Sequence, residues 1–479
     1  MLKIQEIKSF IDNDYQSKKK KQARTGARYY EGLHDIKDYK VLFVNASGDL
    51  EEDIFKSNIK ISHPFFTELV DQQVQYMLSS KDGFVFSDDT KLQAELNTYF
   101  NDNEDFLAEL YDILNDCIVK GFGYAYAYKN ADNKLAFQAA DSLGVVEVKA
   151  KETSDNTDYV IYYYTEYSQG KKINRIQVWD RVSTGYYKQV DDGEIIPDDQ
   201  QIPNPRPHIV YTDSAGEKFG NSFGFIPFFR IDNGKKQFSG LKPIKPIIDD
   251  YDLMSCGLSN NIQDAGEQIF VVSGFDGDNL DELMFNLKNK KHIGVDTEGS
   301  VDVKTIEIPY EARKIKLELD EKNIYRFGMG FNAAQLGDGN ITNIVIKSRY
   351  ALLDLKCNKL EIRLKQFLRK IIQIVLDEIN TENETDYQQK DIYFNFKREI
   401  ITNASDNAQI ELTDAQKQHV MINTLLDAAS RLDDETIAKS ICDILELDYE
   451  ELKDKLPKPD ENDPYSAITT LNGGESNNE

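Results

Sequence analysis

His34 and Asp35 are adjacent in the chain, and a histidine beside a carboxylate can transfer protons or bind a metal. A metal site needs several ligands at fixed spacing, such as HxH or HExxH. None of the five histidines shows such spacing; they are His34, His63, His208, His292 and His419. The sequence therefore favours a turn or packing role for His34.

Two other segments look like ligand-binding motifs. Gly121 and Gly123 flank Phe122 as in a phosphate-binding turn, but a tyrosine-rich strand follows them, and no Walker lysine does. Residues 276–281 cluster carboxylates that suit Ca²⁺, but they lack the glycine and the closing glutamate of an EF-hand. A strand-entry turn at the first segment and a helix cap by Asp278 at the second are the favoured interpretations.

Nucleophiles are equally poorly supported. The serines have no GxSxG context, and Cys256 lies in a predicted helix without a histidine nearby in sequence. Paired carboxylates such as Asp249-Asp250 and Asp433-Asp434 are typical of solvated or capping positions. We therefore predict no catalytic residue, no metal ligand and no cofactor. A nuclease site assembled from distant strands stays open as an alternative.

The charge balance limits how the chain can meet nucleic acid. It has 57 Lys and Arg against 83 Asp and Glu, a net charge of −26. This argues against a protein that grips DNA by neutralising many phosphates. It is compatible with a channel, because several copies in a ring would create a negative field through which DNA passes without adhering.

Apolar content predicts packed cores without a membrane segment. Hydrophobic residues make up 40% of the chain, with 26 Tyr and 25 Phe, and no apolar run reaches the length of a bilayer span. The N-terminus lacks a signal-peptide core, so we expect an intracellular or particle-borne protein. Four cysteines lie far apart, which predicts free buried thiols: Cys117, Cys256, Cys357 and Cys442.

In the first half of the chain, helices precede a β-rich region. Apolar residues at helical spacing predict helices over the first 15 residues, residues 63–78 and residues 92–120. The basic run at residues 18–21 is expected to be a solvated helix face. From residue 123 to 190 the period changes to two, with many Tyr, Val and Ile, which predicts a mostly antiparallel sheet.

The second half is mainly helical. Its most basic helix is followed by four glycines in thirteen residues, which indicates a mobile loop. The next helix would be about 60 Å long. The predicted elements are a helix over 246–269, strands over 270–273, 292–295 and 301–308 around a helix over 279–287, the basic helix 309–327, the loop 328–340, the long helix to 380, a strand over 392–396, helices over 404–456 capped by Asp406 and Asp433, and a disordered tail over 457–479.

This order of elements resembles the portal proteins of tailed phages, particularly the SPP1-like type, over residues 1–455. Four local phrases carry the resemblance: Tyr29-Tyr30-Glu31-Gly32-Leu33-His34-Asp35-Ile36, Asn58-Ile59-Lys60 leading to His63-Pro64-Phe65, Leu69-Val70-Asp71-Gln72, and Ser239 through Ile248 to Tyr251-Asp252 and Ser259-Asn260.

The resemblance implies an elongated α+β portal fold, mostly helical. Its parts would be a β-rich wing (1–240), a stem helix (241–269), a small α/β clip (270–308), a second stem helix (309–327), a tunnel loop (328–340), a very long wing helix with a strand (341–400), a helical crown (401–456) and the tail (457–479).

The resemblance also implies sites and partners. DNA would pass Lys322, Arg326, Met329, Phe331, Asn332, Gln335, Leu336 and Asn340, of which Met329, Phe331 and Leu336 look exposed. Clip residues that meet partners would be Asp276, Asp278, Asn279, Lys288, Lys290 and Lys291. The implied partners are further copies in a ring of about twelve, double-stranded DNA, terminase, a head-tail adaptor, and major capsid and scaffolding proteins, without a membrane. The implied location is the portal vertex of the virion, reached from the host cytoplasm.

Alternatives stay open at this point. Lys322 and Arg326 can instead form salt bridges within the stem, with Glu318, Asp320 or Glu321. The whole chain can instead be a virion adaptor or minor structural protein that binds partners without conducting DNA.

Overall fold

A computed structural model describes most of the chain. The described residues are 2–45, 47–54, 56–130, 133–149, 157–191, 193–212, 218–264, 269–275, 279–285, 295–304, 309–332, 343–399, 404–445, 447 and 449–453. They form two compact units: the first contains residues 1–333 with 350–399, and the second contains residues 334–349 with 400–479.

Helices make up the larger part of the regular structure. They are α1 (Ile4–Gln16), α2 (Lys18–Tyr30), α3 (Phe65–Met77), α4 (Thr90–Leu96), α5 (Glu104–Lys120), α6 (Lys245–Asp264), α7 (Leu280–Phe285), α8 (Tyr310–Gly328), α9 (Asn343–Asn383), α10 (Ala404–Asp427), α11 (Asp434–Ile444) and α12 (Tyr449–Leu452).

Strands are concentrated between residues 122 and 232, as the alternating pattern predicts. They are β1 (Leu42–Val44), β2 (Leu50–Glu52), β3 (Val85–Phe86), β4 (Phe122–Lys129), β5 (Leu135–Ala140), β6 (Val145–Val148), β7 (Tyr159–Ser168), β8 (Lys171–Trp179), β9 (Ser183–Val190), β10 (Ile196–Pro197), β11 (Arg206–Pro207), β12 (Ile209–Thr212), β13 (Lys218–Asn221), β14 (Phe228–Asp232), β15 (Ile269–Phe275), β16 (Val295–Lys304) and β17 (Tyr393–Phe394).

All strand pairs in the described part are antiparallel. A six-stranded sheet has the order β10-β9-β8-β7-β6, with β11 also on β9, and a three-stranded sheet has the order β14-β4-β5. The remaining sheets have two strands each: β1-β2, β12-β13, β15-β16 and β17-β3. The mostly antiparallel β region is thus confirmed, and the chain is α+β.

The basic run near the N-terminus is only partly a solvated face. Ser17 caps α2 by accepting a hydrogen bond from the Lys20 N–H at 3.2 Å. The Lys20 side chain then runs inward and is 1% exposed. Its Nζ donates to the carbonyls of Ser142, Leu143 and Val145 at 2.7, 2.9 and 2.8 Å. The prediction was wrong at Lys20, because three carbonyls can replace the water around an ammonium group.

The single helix predicted over residues 92–120 is two helices. A π-helical turn over Asn97–Asn101 ends α4, and the Asn103 side chain caps α5 by accepting from the Phe106 N–H at 2.9 Å. Tyr99 and Phe100 are buried in that turn. Apolar spacing continues through the break, so periodicity alone could not reveal it.

Two clusters of apolar side chains hold α1 and α2 on the β region. Ile7 of α1 packs with residues of β6, β7 and β8, including Ile161 and Ile176. Ala23 of α2 packs with Phe122 and Trp179. Removal of this surface from water, at about 25 cal/mol per Å², is the main force that fixes these helices.

Predictions for the second half hold in outline and fail at boundaries. Helix α6 ends at Asp264, and Ile269 already belongs to β15. The two strands predicted over 292–295 and 301–308 are one strand, β16, in the described residues 295–304. Helix α8 is within one residue of its predicted ends. The tail over 457–479 lies outside the described residues.

The long helix is confirmed. Helix α9 has 41 residues, a rise of about 60 Å at 1.5 Å per residue. Its predicted apolar face is buried, with at most 2% exposure at Leu353, Cys357, Leu360, Leu364, Phe367, Ile371 and Val375. In the C-terminal region Asp433 caps α11, as predicted, by accepting from the Thr436 N–H at 2.8 Å. Asp406 does not cap α10, because that helix begins at Ala404.

Candidate functional site

Helices α6 and α8 form an antiparallel pair. Lys316 of α8 bridges Asp250, near the N-terminal end of α6, and Asp320 of its own helix. Arg313, closer to the start of α8, donates from Nη2 to the side-chain oxygen of Asn261, near the C-terminal end of α6, at 2.9 Å in the amide orientation that satisfies both groups. The C-terminal end of α6 therefore lies beside the N-terminal end of α8.

The face of α8 opposite α6 is exposed and becomes basic along its length. Ile315, Leu319, Lys322 and Arg326 are spaced by threes and fours on one face. All four side chains are exposed. Asp320, Ile324 and Tyr325, on the other side, are buried.

Lys322 and Arg326 do not form the stem salt bridges that were the alternative, within the part of the chain described. Asp320 is paired with Lys316, and Glu321 accepts a hydrogen bond from Asn332 Nδ2 at 2.8 Å. The Arg326 guanidinium lies 5.9 Å from the Phe327 ring. Neither cation forms an ion pair with another residue in the described part of the subunit.

The segment that follows α8 is anchored at its start. Met329 has φ +54°, and Gly330 N–H donates to the Tyr325 carbonyl at 3.0 Å, which ends the helix in a left-handed cap. Phe331 stacks on Tyr350 with ring centroids 4.7 Å apart, and its backbone N–H donates to Gln72 Oε1 at 3.1 Å.

Phe331 is therefore 8% exposed, and its predicted exposure is wrong. Asn332 is buried as well. Both side chains face residues of their own subunit, whereas Met329 is partly exposed. Gln335, Leu336 and Asn340 lie outside the described residues.

The predicted partner-binding residues fall mostly in undescribed parts. Asp276, Asp278, Lys288, Lys290 and Lys291 are not among the described residues. Asn279 is exposed, and its carbonyl accepts from the Leu283 N–H at 3.3 Å at the start of α7. Helix α7 lies in the chain between β15 and β16, which pair with each other.

A buried histidine–aspartate–histidine cluster was missed by the sequence analysis. Asp252 of α6 accepts from His34 Nδ1 at 2.6 Å, from His63 Nδ1 at 2.8 Å and from the His63 backbone N–H at 3.0 Å. His34 and Asp252 are fully buried. The Nε2 of His34 faces the Tyr29 carbonyl at 3.2 Å, and its ring stacks on Tyr29 at 4.4 Å.

The geometry fixes which atoms donate to Asp252. A carboxylate oxygen only accepts hydrogen bonds, so Asp252 accepts from the Nδ1 atoms of His34 and His63 and from the His63 backbone N–H. Burial acts to raise the pKa of Asp252, but the hydrogen bonds from His34 and His63 outweigh it and lower that pKa.

Ser255 lies on the other side of His63, with its Oγ 3.5 Å from Nε2, so serine, histidine and aspartate follow one another as in a hydrolase. An acyl-transfer site also needs free N–H donors for the oxyanion. The N–H groups around Ser255 lie inside α6, where helical hydrogen bonds occupy them. The hydrogen bonds of the cluster join α6 to His34 and His63 and thereby position this helix.

His63, one of the two histidines of the cluster, ends a segment, residues 57–63, that runs along α6. Ser57, Ile59 and Ile61 donate their N–H groups to Asp264, Asn260 and Cys256 of the helix at 3.2, 2.7 and 3.2 Å. These helix positions are four residues apart and continue to Asp252, so the segment covers one complete stripe of α6.

No group of three or more His, Cys, Asp or Glu side chains in the described part is arranged to hold a metal ion. Among the described helices none is both long and apolar enough to cross a bilayer.

Comparison with known proteins shows the family to which the chain belongs. Residues 9–454 match the family model of the phage portal protein, SPP1 Gp6-like. The chain belongs to this family. The portal protein of Bacillus phage SPP1 is 25% identical over 391 residues, which cover 80% of this chain and 75% of that protein. The portal protein of Clostridium phage phiCD119 is 24% identical over 423 residues, 85% of this chain and 89% of that protein.

Membership in the phage portal family confirms the resemblance over nearly the whole chain. It gives the protein a structural role at the phage capsid. The phrases that carry the resemblance also meet in space. Tyr29 and His34, His63, and Asp252 come from three of them and form the buried cluster.

Proposed function

We propose that copies of this portal protein form a ring with an axial channel, through which double-stranded DNA enters the capsid during packaging and leaves it during ejection. The observation that supports this most is the α6–α8 pair. Its outer face is exposed, becomes basic at Lys322 and Arg326, and leads directly into the glycine-rich segment 328–340. In a ring of strongly acidic subunits these cations would touch phosphates transiently.

The parts of the subunit are assigned accordingly. Residues 1–240 and 341–400 form the wing, α6 and α8 the stem, 270–308 the clip, and 401–456 the crown. The segment after Asn332 is the constriction around DNA, with Gln335, Leu336 and Asn340 on it. The clip, through residues 276–279 and 288–291, docks terminase during packaging and a head-tail adaptor afterwards. Capsid and scaffolding proteins contact the ring during assembly in the host cytoplasm.

Ring formation is tested by the mass of the purified protein in light scattering, followed by imaging of the peak. The expected result is a particle of about twelve copies with an axial hole. An unperforated dimer of high purity would contradict the channel.

The constriction is tested by deleting residues 333–339, which leaves the anchored Phe331 and Asn332 in place. We expect rings to assemble normally and DNA packaging into capsids to fall strongly. A matched variant, Lys322→Gln with Arg326→Gln, tests the basic positions separately. Normal packaging by the deletion variant would show that this segment does not narrow the channel.

A further inference from the structure

A polar cavity lies between the long helix α9 and the β region. Its volume is about 260 Å³, and it is lined by one face of α9, by β14, and by residues in and after β6. The charged residues of the lining are Glu147, Lys149, Arg230, Asp232, Arg363 and Lys370, all in the first compact unit. Four cations thus face two carboxylates, an excess of two positive charges in a chain whose net charge is −26.

The two carboxylates of the cavity already have partners. Arg230 pairs with both: it donates to Glu147 Oε2, and its Nε lies 3.0 Å from Asp232 Oδ1. The Tyr124 hydroxyl also donates to Glu147, at 3.1 Å. The Gln237 Nε2 donates to Asp232 at 2.7 Å. Neither carboxylate therefore needs the remaining cations of the cavity for compensation.

The other three cations have no counterion. The side chains of Lys149, Arg363 and Lys370 form no ion pair or hydrogen bond in the part of the chain that the structure describes. Arg363, Gln366 and Lys370 are spaced by three and four residues, so they lie on one face of α9. Arg363 is partly buried. A charge that is withdrawn from water without a partner costs free energy, and an anion from outside the chain would offset that cost.

The size and the charge of the cavity favour a small dianion. Pockets for drug-sized ligands measure about 300–1,000 Å³, so this cavity is small for a nucleotide. A divalent anion cancels the excess of two positive charges. Guanidinium groups bind phosphate oxygens with two parallel hydrogen bonds. Thr157 and Gln366, which also line the cavity, can donate neutral hydrogen bonds to further oxygens.

We propose that this cavity binds a phosphate dianion, held by Arg363 and Lys370 of α9 on one side and by Lys149 and Arg230 of the β region on the other. The bound ion joins the long helix to the β region and stabilises the first unit. All four cations belong to one chain, so this site does not depend on the ring or the channel proposed above.

Calorimetric titration of the full chain with inorganic phosphate, at pH 8 and constant ionic strength, tests the site. We expect one phosphate ion per chain. Arg363→Gln should weaken binding about tenfold or more, because a charge-assisted hydrogen bond is lost. Lys370→Gln, at an exposed position, should weaken binding without disturbing the fold. Lys359→Gln is the matched control, since Lys359 is an exposed lysine of α9 outside the cavity lining.

The affinities of these variants decide the proposal. The control should bind phosphate as the wild type does. A wild-type chain that binds no phosphate would overturn the site. Wild-type affinity in both Arg363→Gln and Lys370→Gln would overturn it as well, because the ion would then be bound elsewhere.

Competition with other anions tests the identity of the ligand. Sulfate, a tetrahedral dianion, should displace phosphate, whereas acetate at the same concentration should not. Acetate that competes equally well would assign the cavity to a carboxylate and overturn the dianion. Deoxyadenosine monophosphate or a short DNA duplex should bind no more tightly than free phosphate. Tenfold tighter binding of either, lost in Arg363→Gln, would overturn the assignment to a small free ion.

Thermal unfolding tests the link between α9 and the β region. Phosphate should raise the melting temperature of the wild type and of Lys359→Gln, because a ligand that binds only the folded state stabilises it. The increase should disappear in Arg363→Gln. An equal increase in all three proteins would be a general salt effect and would contradict the bridging ion.

Discussion

At the scale of single residues, Asp252 is the side chain on which the position of α6 depends most. It is buried, accepts three hydrogen bonds, and joins α6 to the ends of two segments more than 180 residues away. A buried ion pair adds little over an apolar pair of the same shape, but removing one partner leaves the other charge uncompensated. The carboxylate is therefore hard to replace once His34 and His63 are present.

Replacement of Asp252 by asparagine should lower the free energy of unfolding by about 1.5–3 kcal/mol, because the amide keeps the size but loses the charged acceptor to which His34 and His63 donate. Urea denaturation would measure it. Asp250→Asn is the matched control in the same helix. Its ion pair with Lys316 is partly exposed, so we expect a loss below about 1 kcal/mol. Equal losses in the two variants would contradict the charge argument.

The same carboxylate predicts a pH dependence. The pKa of Asp252 is lowered in the folded chain, so folding stabilises the ionised form of this carboxyl group relative to its protonated form. The resulting stabilisation is complete above the unfolded pKa of about 3.9 and disappears as the pH falls through the lower folded value. The contribution of the Asp252 carboxylate to the difference in stability between wild type and Asp252→Asn should therefore shrink as the pH falls below about 4. A difference that grew towards acid would have the wrong sign.

At the scale of elements, the end of α8 depends on glycines that approach α3 closely. A Cβ on Gly330 would lie 2.0 Å from Leu69 Cδ2, and one on Gly328 would lie 2.6 Å from Leu69 Cδ1. Leu69 is buried and cannot move freely. These glycines therefore fix how the C-terminal end of α8 meets α3.

Gly330→Ala should cost about 1–3 kcal/mol, since the added methyl overpacks against Leu69. Thermal or urea unfolding would measure the change. In the background of Leu69→Ala the same substitution should cost much less, because the colliding methyl groups are gone. Gly234→Ala, where nothing lies within 4 Å of the added atom, is the control and should stay within about 0.5 kcal/mol. Additive losses in the double variant would exclude the clash.

Sequence patterns predicted elements well and their contacts poorly. The apolar spacing of α9 and the ends of α8 could be predicted from the sequence, because buried residues recur there every three or four positions. The helix break at Asn97–Asn101 could not be predicted, since apolar spacing continues through it. The Asp252 cluster left no local signal, because His34 and His63 lie 218 and 189 residues away. Phe331 looked exposed among glycines, yet Tyr350 covers it, which only the tertiary structure could decide.

At the scale of the whole molecule, the net charge is the main influence on how the chain meets duplex DNA. A net charge of −26 repels duplex DNA at long range, and the exposed cations of α8 are few. In the channel proposed above, weak contact would let DNA slide, because each phosphate neutralised adds to the affinity and slows release.

We therefore expect the unassembled chain to bind free duplex DNA more weakly than about 100 µM at 0.15 M salt, the weak end of non-specific binding. Fluorescence anisotropy with a labelled duplex would measure it. A basic DNA-binding domain of similar size serves as the positive control. Micromolar binding with a steep salt dependence would show that the acidic surface does not govern the encounter.

The buried cysteines make the number of subunits countable. Burial raises the pKa of the Cys117 thiol, raises that of Cys357 to about 12, and keeps all four thiols away from solvent. One surface cysteine, introduced far from the proposed interfaces, would accept one maleimide dye per chain. The number of photobleaching steps of a single labelled particle would then report directly how many copies the ring contains.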